Sequence, residues 1–410
     1  MYVCLLINSC KVYVKKYIKI NRVLDFSCYN RAKREYIMGF ALFTTIELLI
    51  FLIGQAIDFK NKKQLNILAG LMFLIMFVFA GVRGSGDADY YNYLWFVKDL
   101  GLDYRRLFDF TYPVEFAFRF FALIVNTLGL SRQWVIVIMN LCSILPIAYI
   151  SIKESANPFL SAIIFLPIFI QFDMQTSRTA SAIGLSFLAS YFVSEKKYFG
   201  AFLFFIFSLA FHKSAMIMLP FLILINFRIG NLFKIITAGL GLFVSLFSLK
   251  VFSLVAIIVS KMGLGVISRK IDTYVFSGGM FAFPMKLYDP RIIFGLMLFA
   301  FSLMYFHKYS FRKNSMIEIS SKAMWFGLIV FLVFRSSTAV AFRFGNFFTV
   351  YQMIFIPEII KEAKKDDRLG LLIIALSIIL FVLPYAGFLM MKAPSYDFFF
   401  TNLNAIHSLK

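Results

Sequence analysis

Charged residues are scarce in this chain. Only 15% of its 410 residues are Asp, Glu, Lys or Arg, against roughly 25% in an ordinary soluble domain, while 61% are hydrophobic and the mean hydropathy is +0.81. That balance excludes a soluble globular domain and points to a bilayer as the solvent. Acidic residues are rarer still, 21 against 42 basic ones, for a net charge of +21. No basic, aromatic module stands apart from the apolar runs, so nucleic acid is not an expected partner. In a membrane protein the same excess first reflects the Lys and Arg of cytoplasmic loops. The four cysteines, Cys4, Cys10, Cys28 and Cys142, show neither a disulfide framework nor a zinc-like spacing, so no metal and no cofactor is expected. A P-loop, a dinucleotide fingerprint and a serine-nucleophile motif are all missing. Missing too is the alternation in ten-residue segments that a spanning β-barrel requires.

Long apolar runs are present instead, rich in the 54 phenylalanines. They fall at about 38–57, 65–82, 133–151, 158–172, 177–194, 198–211, 214–228, 231–249, 291–306, 319–334, 344–360 and 370–390. The expected fold is therefore an all-α polytopic bundle of about twelve transmembrane helices, some of the shorter ones broken or re-entrant. Segment 114–130 contains Glu115 and Arg119 and reads as a helix lying in the interface. With that segment on the surface, six short loops (58–64, 152–157, 195–197, 226–234, 307–322 and 361–368) share one side and carry 16 Lys and Arg in 49 residues. This is the expected cytoplasmic side. It leaves no Lys or Arg within a helix core, where the acidic residues are Glu47 and Glu358.

The expected organisation is a basic tail over 1–37 followed by one transmembrane domain over 38–410, with outer loops near 83–132 and 250–290. The tail carries eight Lys and Arg yet falls outside in this topology, a conflict that a start at Met38 would remove. A cytoplasmic tail with one more crossing before residue 83 is the other reading.

Chemistry-bearing residues collect at the outer helix ends. The second run closes in Arg83-Gly-Ser-Gly-Asp87-Ala-Asp89-Tyr90-Tyr91-Asn92-Tyr93. Its glycines permit a sharp turn, Arg83 suits a phosphate, and the tyrosine rings suit sugars or an interfacial aromatic belt. A second junction reads Asp173-Met-Gln175-Thr-Ser-Arg178-Thr-Ala-Ser-Ala, so a guanidinium and a helix N-terminus would both favour an anion, or the arginine would snorkel to the interface. The small residues that follow allow close helix packing. A third junction, Phe211-His212-Lys213-Ser214-Ala215, holds the one histidine expected on the outer side, a proton acceptor or a hydrogen-bonded interfacial residue. Arg291, Arg335 and Arg343 sit at further outer ends, against the positive-inside bias, and call for an anionic partner: a lipid-linked diphosphate or ordinary headgroups.

Arg83-Gly-Ser-Gly-Asp87-Ala-Asp89-Tyr90, then Glu115, Gln175-Thr-Ser-Arg178 and Phe211-His212-Lys213-Ser214 resemble, in order and spacing, the EpsG and Wzy family of polysaccharide polymerases. The likeness covers about residues 38–225, the remainder being similar in helix pattern and outer arginines. It implies a GT-C-like bundle in the bacterial cytoplasmic membrane, with its active site facing the periplasm or outside. There it would join undecaprenyl-diphosphate-linked oligosaccharide repeats by metal-independent transfer to a sugar hydroxyl, alongside membrane lipids, a chain-length regulator and a flippase. On that expectation His212, with Glu115 and Asp87 as alternatives, is the base. Arg178, Arg83 and Arg343 clamp the diphosphate, and Asp89, Tyr90, Tyr93, Gln175, Lys213, Arg291 and Arg335 bind the remainder of the substrate. An O-antigen ligase, or a flippase or transporter of the same lipid, are the alternative readings.

Overall fold

The computed structural model describes residues 61–84, 88–109, 111–262, 268–269, 271–276, 284–308, 315–366 and 398–400. The expected helices at 38–57 and 370–390, the tail over 1–37, Glu47 and Asp87 lie outside them. Among the described residues every regular element is a helix, and the one extended feature is an isolated antiparallel bridge from Arg83 to Phe398.

Fourteen α-helices are described: α1 (Lys62–Gly81), α2 (Ala88–Leu100), α3 (Phe116–Thr127), α4 (Gln133–Glu154), α5 (Pro158–Ile168), α6 (Ser177–Ser194), α7 (Tyr198–Phe211), α8 (Met218–Leu224), α9 (Asn231–Leu246), α10 (Ser248–Lys261), α11 (Pro290–Lys308), α12 (Met316–Val333), α13 (Thr338–Thr349) and α14 (Gln352–Asp366). Their starts follow from side-chain caps. Asn61, Asn157, Ser315 and Ser337 each accept a first-turn amide hydrogen that would otherwise be unsatisfied.

By length and composition α1, α4 and α12 can cross a membrane, and the number rises to five if two bent pairs each count as one span. The bends were not legible as positions in the sequence. The run at 231–249 breaks between α9 and α10 at 84°, and the run at 344–360 is replaced by α13 and α14, which meet at 49°. Residues 250–261, expected as outer loop, are thus helical. As expected, 114–130 contains only a short helix: the 12 residues of α3 extend roughly 18 Å, well under the ~30 Å hydrocarbon core. Large apolar side chains also lie exposed along whole helices, including Phe199, Leu232, Phe243 and Leu254. An apolar exterior of this extent matches lipid contact, not water.

The core is built around α6, which packs closely on α4 and on α7, while α1 lies against α4 and α5, and α12 binds α9, α11 and α13 into a second layer. Small residues make the first contact possible. A Cβ on Gly184 would stand 2.5 Å from the Ser143 carbonyl oxygen, so the two backbones touch. Ser181 donates to the Met139 carbonyl (2.8 Å) on α4, and Ser208 of α7 donates to the Ala182 carbonyl (2.7 Å). These bonds tie three helices where the hydrophobic effect gives no drive.

At the opposite end of α12 from the site described below, one expectation fails. Lys322 and Glu318, counted with a loop or its edge, lie buried in the first turns of α12 and pair at 2.9 Å, with Lys322 also donating to the Ile225 and Phe227 carbonyls (2.7 and 3.0 Å). Burial is tolerated because the charge is matched and its hydrogens are used.

Gly184→Ala is therefore expected to cost about 1–3 kcal/mol by overpacking, read as a lower thermal midpoint of the purified protein. Gly70→Ala, whose Cβ meets nothing within 4 Å, should leave the midpoint unchanged.

Candidate functional site

Several of the polar residues expected at outer helix ends meet at one end of the bundle. Glu115 is the N-cap residue of α3, yet its carboxylate does not cap that helix. It accepts instead from Nη1 of Arg178 at 2.6 Å, with both side chains mostly buried. Arg178 stands in the first turn of α6, beside amides with no side-chain cap from Thr176. Its guanidinium also lies over the ring of Tyr93, 5.6 Å from the centroid. Tyr93 rests on Phe118 of α3 (5.7 Å between centroids) and shares its hydroxyl with Asp89 (3.4 Å). Burial pushes the Tyr93 hydroxyl up to about 12, so it stays protonated among Arg178, Asp89 and Arg83.

His212 closes the cluster. Helix α7 ends on it in an extended conformation, and its ring starts the next turn: the Ser214 amide donates to Nδ1 at 3.2 Å. Nδ1 also lies against Ser214 Oγ, and when both Ser214 groups donate to it the neutral ring carries its proton on Nε2. Burial pushes its pKa down to about 4; Glu115 opposes the shift, and Arg178, Arg343 and Lys213 add to it. At neutral pH the imidazole is consequently uncharged. In the tautomer that the Ser214 amide favours, the nitrogen facing it is already occupied. Lys213 itself is exposed. Arg343, near His212, donates to the Tyr274 hydroxyl (3.0 Å) and lies over that ring.

Other expected residues take different places. Arg83 was read as facing outward but is only 1% exposed, with Nη2 donating to Ser177 Oγ at 2.9 Å. Its backbone is held by Gln133, which donates to the Gly81 and Arg83 carbonyls (2.7 and 2.9 Å), and by the bridge to Phe398. At Gly84 a Cβ would meet the Phe398 carbonyl carbon at 2.9 Å, so this close approach requires glycine. Tyr90, read as a sugar platform, is 1% exposed and donates to Gln133 (3.0 Å), leaving Tyr91 as the exposed ring of the three. Arg335 gives its hydrogens to the Ser245 and Met285 carbonyls (3.0 Å each), which locks α9 to the loop before α11. Arg291 forms a two-pronged pair with Asp289 (2.6 and 2.5 Å) and stacks on Phe342. Gln175 is half-buried beside the cluster.

Asp173, Gln133 and Tyr274 carry parts of this arrangement that residue type alone did not reveal. Asp173 ends a π-turn (Phe169–Asp173) after Pro167, fully buried beside Ser143 and Arg83, and its carbonyl accepts from Ser177 Oγ at 3.1 Å. A π-turn is a frequent mark of a functional site. The polar Gln133 at the head of an apolar helix was the available signal for its neighbour.

Together these features define an all-helical, polytopic membrane protein that gathers cations, a carboxylate and an imidazole at one end of its bundle. The chain matches the EpsG family over residues 66–402 and belongs to it. The match runs well past residue 225, so the last third, including α11 to α14, is part of the family pattern and not merely similar in helix spacing. Neither a curated protein nor a solved structure matches this chain.

The depressed pKa of His212 sets a sign. Between its ordinary value near 6.5 and about 4, the unfolded chain binds a proton that the folded chain does not, so stability is untouched above 6.5 and falls as pH drops toward 4. In histidine-labelled protein, nitrogen NMR should find Nδ1 unprotonated at pH 7 and a titration displaced well below pH 6. A normal titration near 6.5 would contradict the buried, amide-bound ring.

Proposed function

We propose that this protein is a polysaccharide polymerase that transfers a growing glycan from undecaprenyl diphosphate to a sugar hydroxyl of a fresh lipid-linked repeat. The work is done on the face of the bacterial cytoplasmic membrane away from the cytoplasm, within a GT-C-like bundle of about twelve spans. The family supports a role in polysaccharide assembly. The observation that carries the reading is the Arg178–Glu115 pair held beside His212 and Arg343 at one end of an apolar bundle.

Such a transfer needs a base for the acceptor hydroxyl and cations for the departing diphosphate. Glu115 supplies the base: one carboxylate oxygen is held by Arg178, and the other takes the hydroxyl proton as that oxygen attacks the anomeric carbon. The bond from that carbon to the diphosphate breaks in the same step, its electron pair staying on the diphosphate oxygen. Arg178 and Arg343 neutralise the developing charge, with Lys213 at the rim, and the Nε2–H of His212 donates to it. No metal is required by this scheme, because guanidinium and imidazole donors take the electrostatic part. Direct displacement inverts the anomeric centre. Arg83 acts from behind, fixing Ser177 and so the start of α6.

Losing one such contact is worth on the order of 3 kcal/mol in the transition state, about a hundredfold in rate. With purified protein and a synthetic lipid-linked repeat, Glu115→Gln and Arg178→Ala are each expected to slow polymer formation by about that factor, and a chelator to have no effect. The wild-type protein making no polymer, as a flippase or a ligase would, would sink the proposal. The role of His212 has its own readout: Gln places an N–H near the Nε2 position, so His212→Gln should retain far more activity than His212→Ala. Equal loss in the two would restore the base role.

A further inference from the structure

A cavity of about 420 Å³ lies between α5, α11, α12 and α13, beside the site but not part of it. This is the size of a small-molecule site. Its walls are mostly apolar, from Ile164, Ile168, Phe294, Leu298, Leu328 and Phe348. Polar groups line it at Gln171 of the π-turn after α5, at the Asp289–Arg291 pair at the head of α11, and at Asn346, Thr349 and Gln352 along α13 and the start of α14. From Pro290 to Leu298 the cavity follows α11 for roughly 12 Å into the bundle. Two adjacent residues of α13 connect it to the catalytic cluster: Phe342 lines the cavity and Arg343 reaches the surroundings of His212. Likewise Gln171 of the cavity is two residues from Asp173, which lies against Arg83.

Mostly apolar, and with Phe342 in its wall next along α13 to Arg343, the cavity fits a hydrocarbon chain whose anionic head lies at Arg343 and Arg178. We infer that the cavity between α5, α11, α12 and α13 holds the proximal stretch of the polyprenyl chain of the lipid-linked donor. The inference rests on the donor named above and adds where its chain is held. The Asp289–Arg291 pair is internally neutral, which suits a chain passing it, while Arg343, held by the Tyr274 hydroxyl and not by a carboxylate, follows Phe342 of the cavity wall on α13. A bulk phospholipid would need its head at that neutral pair, which is the weaker match.

Gly295 offers a clean test. It lines the cavity, and a Cβ there would meet nothing closer than Leu328 Cδ1 at 3.6 Å, so a larger side chain grows into the space without striking backbone. The probe is a polyprenyl diphosphate with a photoreactive diazirine in its chain and no sugar, incubated with the full chain in phosphatidylglycerol nanodiscs. Labelling is expected at 290–298, 323–331 and 342–349. Gly295→Leu, and Ala323→Leu from the facing helix, should cut it at least tenfold, and Gly70→Leu should leave it unchanged. Unlabelled polyprenyl diphosphate should compete, and added phosphatidylglycerol should not. Label spread evenly over lipid-facing helices of the wild-type protein would overturn the inference, whatever the variants do. So would undiminished label in folded Gly295→Leu, or equal competition by phosphatidylglycerol. Because the probe carries no sugar, failure to make polymer would overturn the proposed function and leave the labelling result standing, so the two failures are separable.

Discussion

The bundle depends on one close approach, the contact of α6 with α4 at Gly184 and Ser143, where no side chain intervenes. Lipid tails are as apolar as leucine, so helices in a bilayer are held by packing and by hydrogen bonds between them. A run of Ser, Thr, Ala and Gly on α6 provides both: Ser181 reaches the α4 backbone, and Ser208 of α7 reaches back to α6. The depth at which α6 sits decides where its first turn emerges, and Arg178 is in that turn. Glu115, Tyr93 and His212 all take their positions relative to it. A structural requirement at the middle of a helix thereby sets the electrostatics at its end.

The arginines divide into two kinds, and the division has a physical basis. Arg83, Arg119 and Arg335 give hydrogens to hydroxyl or carbonyl oxygens of the protein itself, as fixed points where loops or helix ends would otherwise leave acceptors unsatisfied. Arg178 and Arg343 also donate within the protein, to Glu115 and to the Tyr274 hydroxyl, but they rest against tyrosine rings and stand near a neutral imidazole, where their charge is weakly screened. Of the five, Arg178 and Arg343 act on His212. His212 follows from the same environment: burial and the cations around it keep it neutral, and the Ser214 amide favours the tautomer with its proton on Nε2.

Much of this was legible in the sequence. Low charge and long apolar runs specify a helical membrane protein. The ends of α6 and α7 follow from apolar length and polar junctions, and the shortness of α3 follows from a short run interrupted by Arg119. Glu115, Arg178, His212 and Arg343 were identified because ionisable residues at helix ends opposite the basic loops need a reason to be there. Less legible were roles that depend on direction. Tyr90 and Arg83 carry the same residue types whether they face a sugar or Gln133 and Ser177. The breaks at 247 and 350 carry no glycine or proline, so no helix-breaking residue marks either in the sequence.

Sequence by itself determined the solvent, the class of fold and the inventory of charges, since these depend on composition and on spacing along the chain. Tertiary structure decided which charges meet. The pairing of Arg178 with Glu115, 63 positions apart, and the meeting of Arg83 with Phe398 are set by how helices pack, which no local pattern encodes. The protonation of His212 belongs to the same category, because a tautomer is chosen by the neighbour that donates to it and a pKa by the depth of burial.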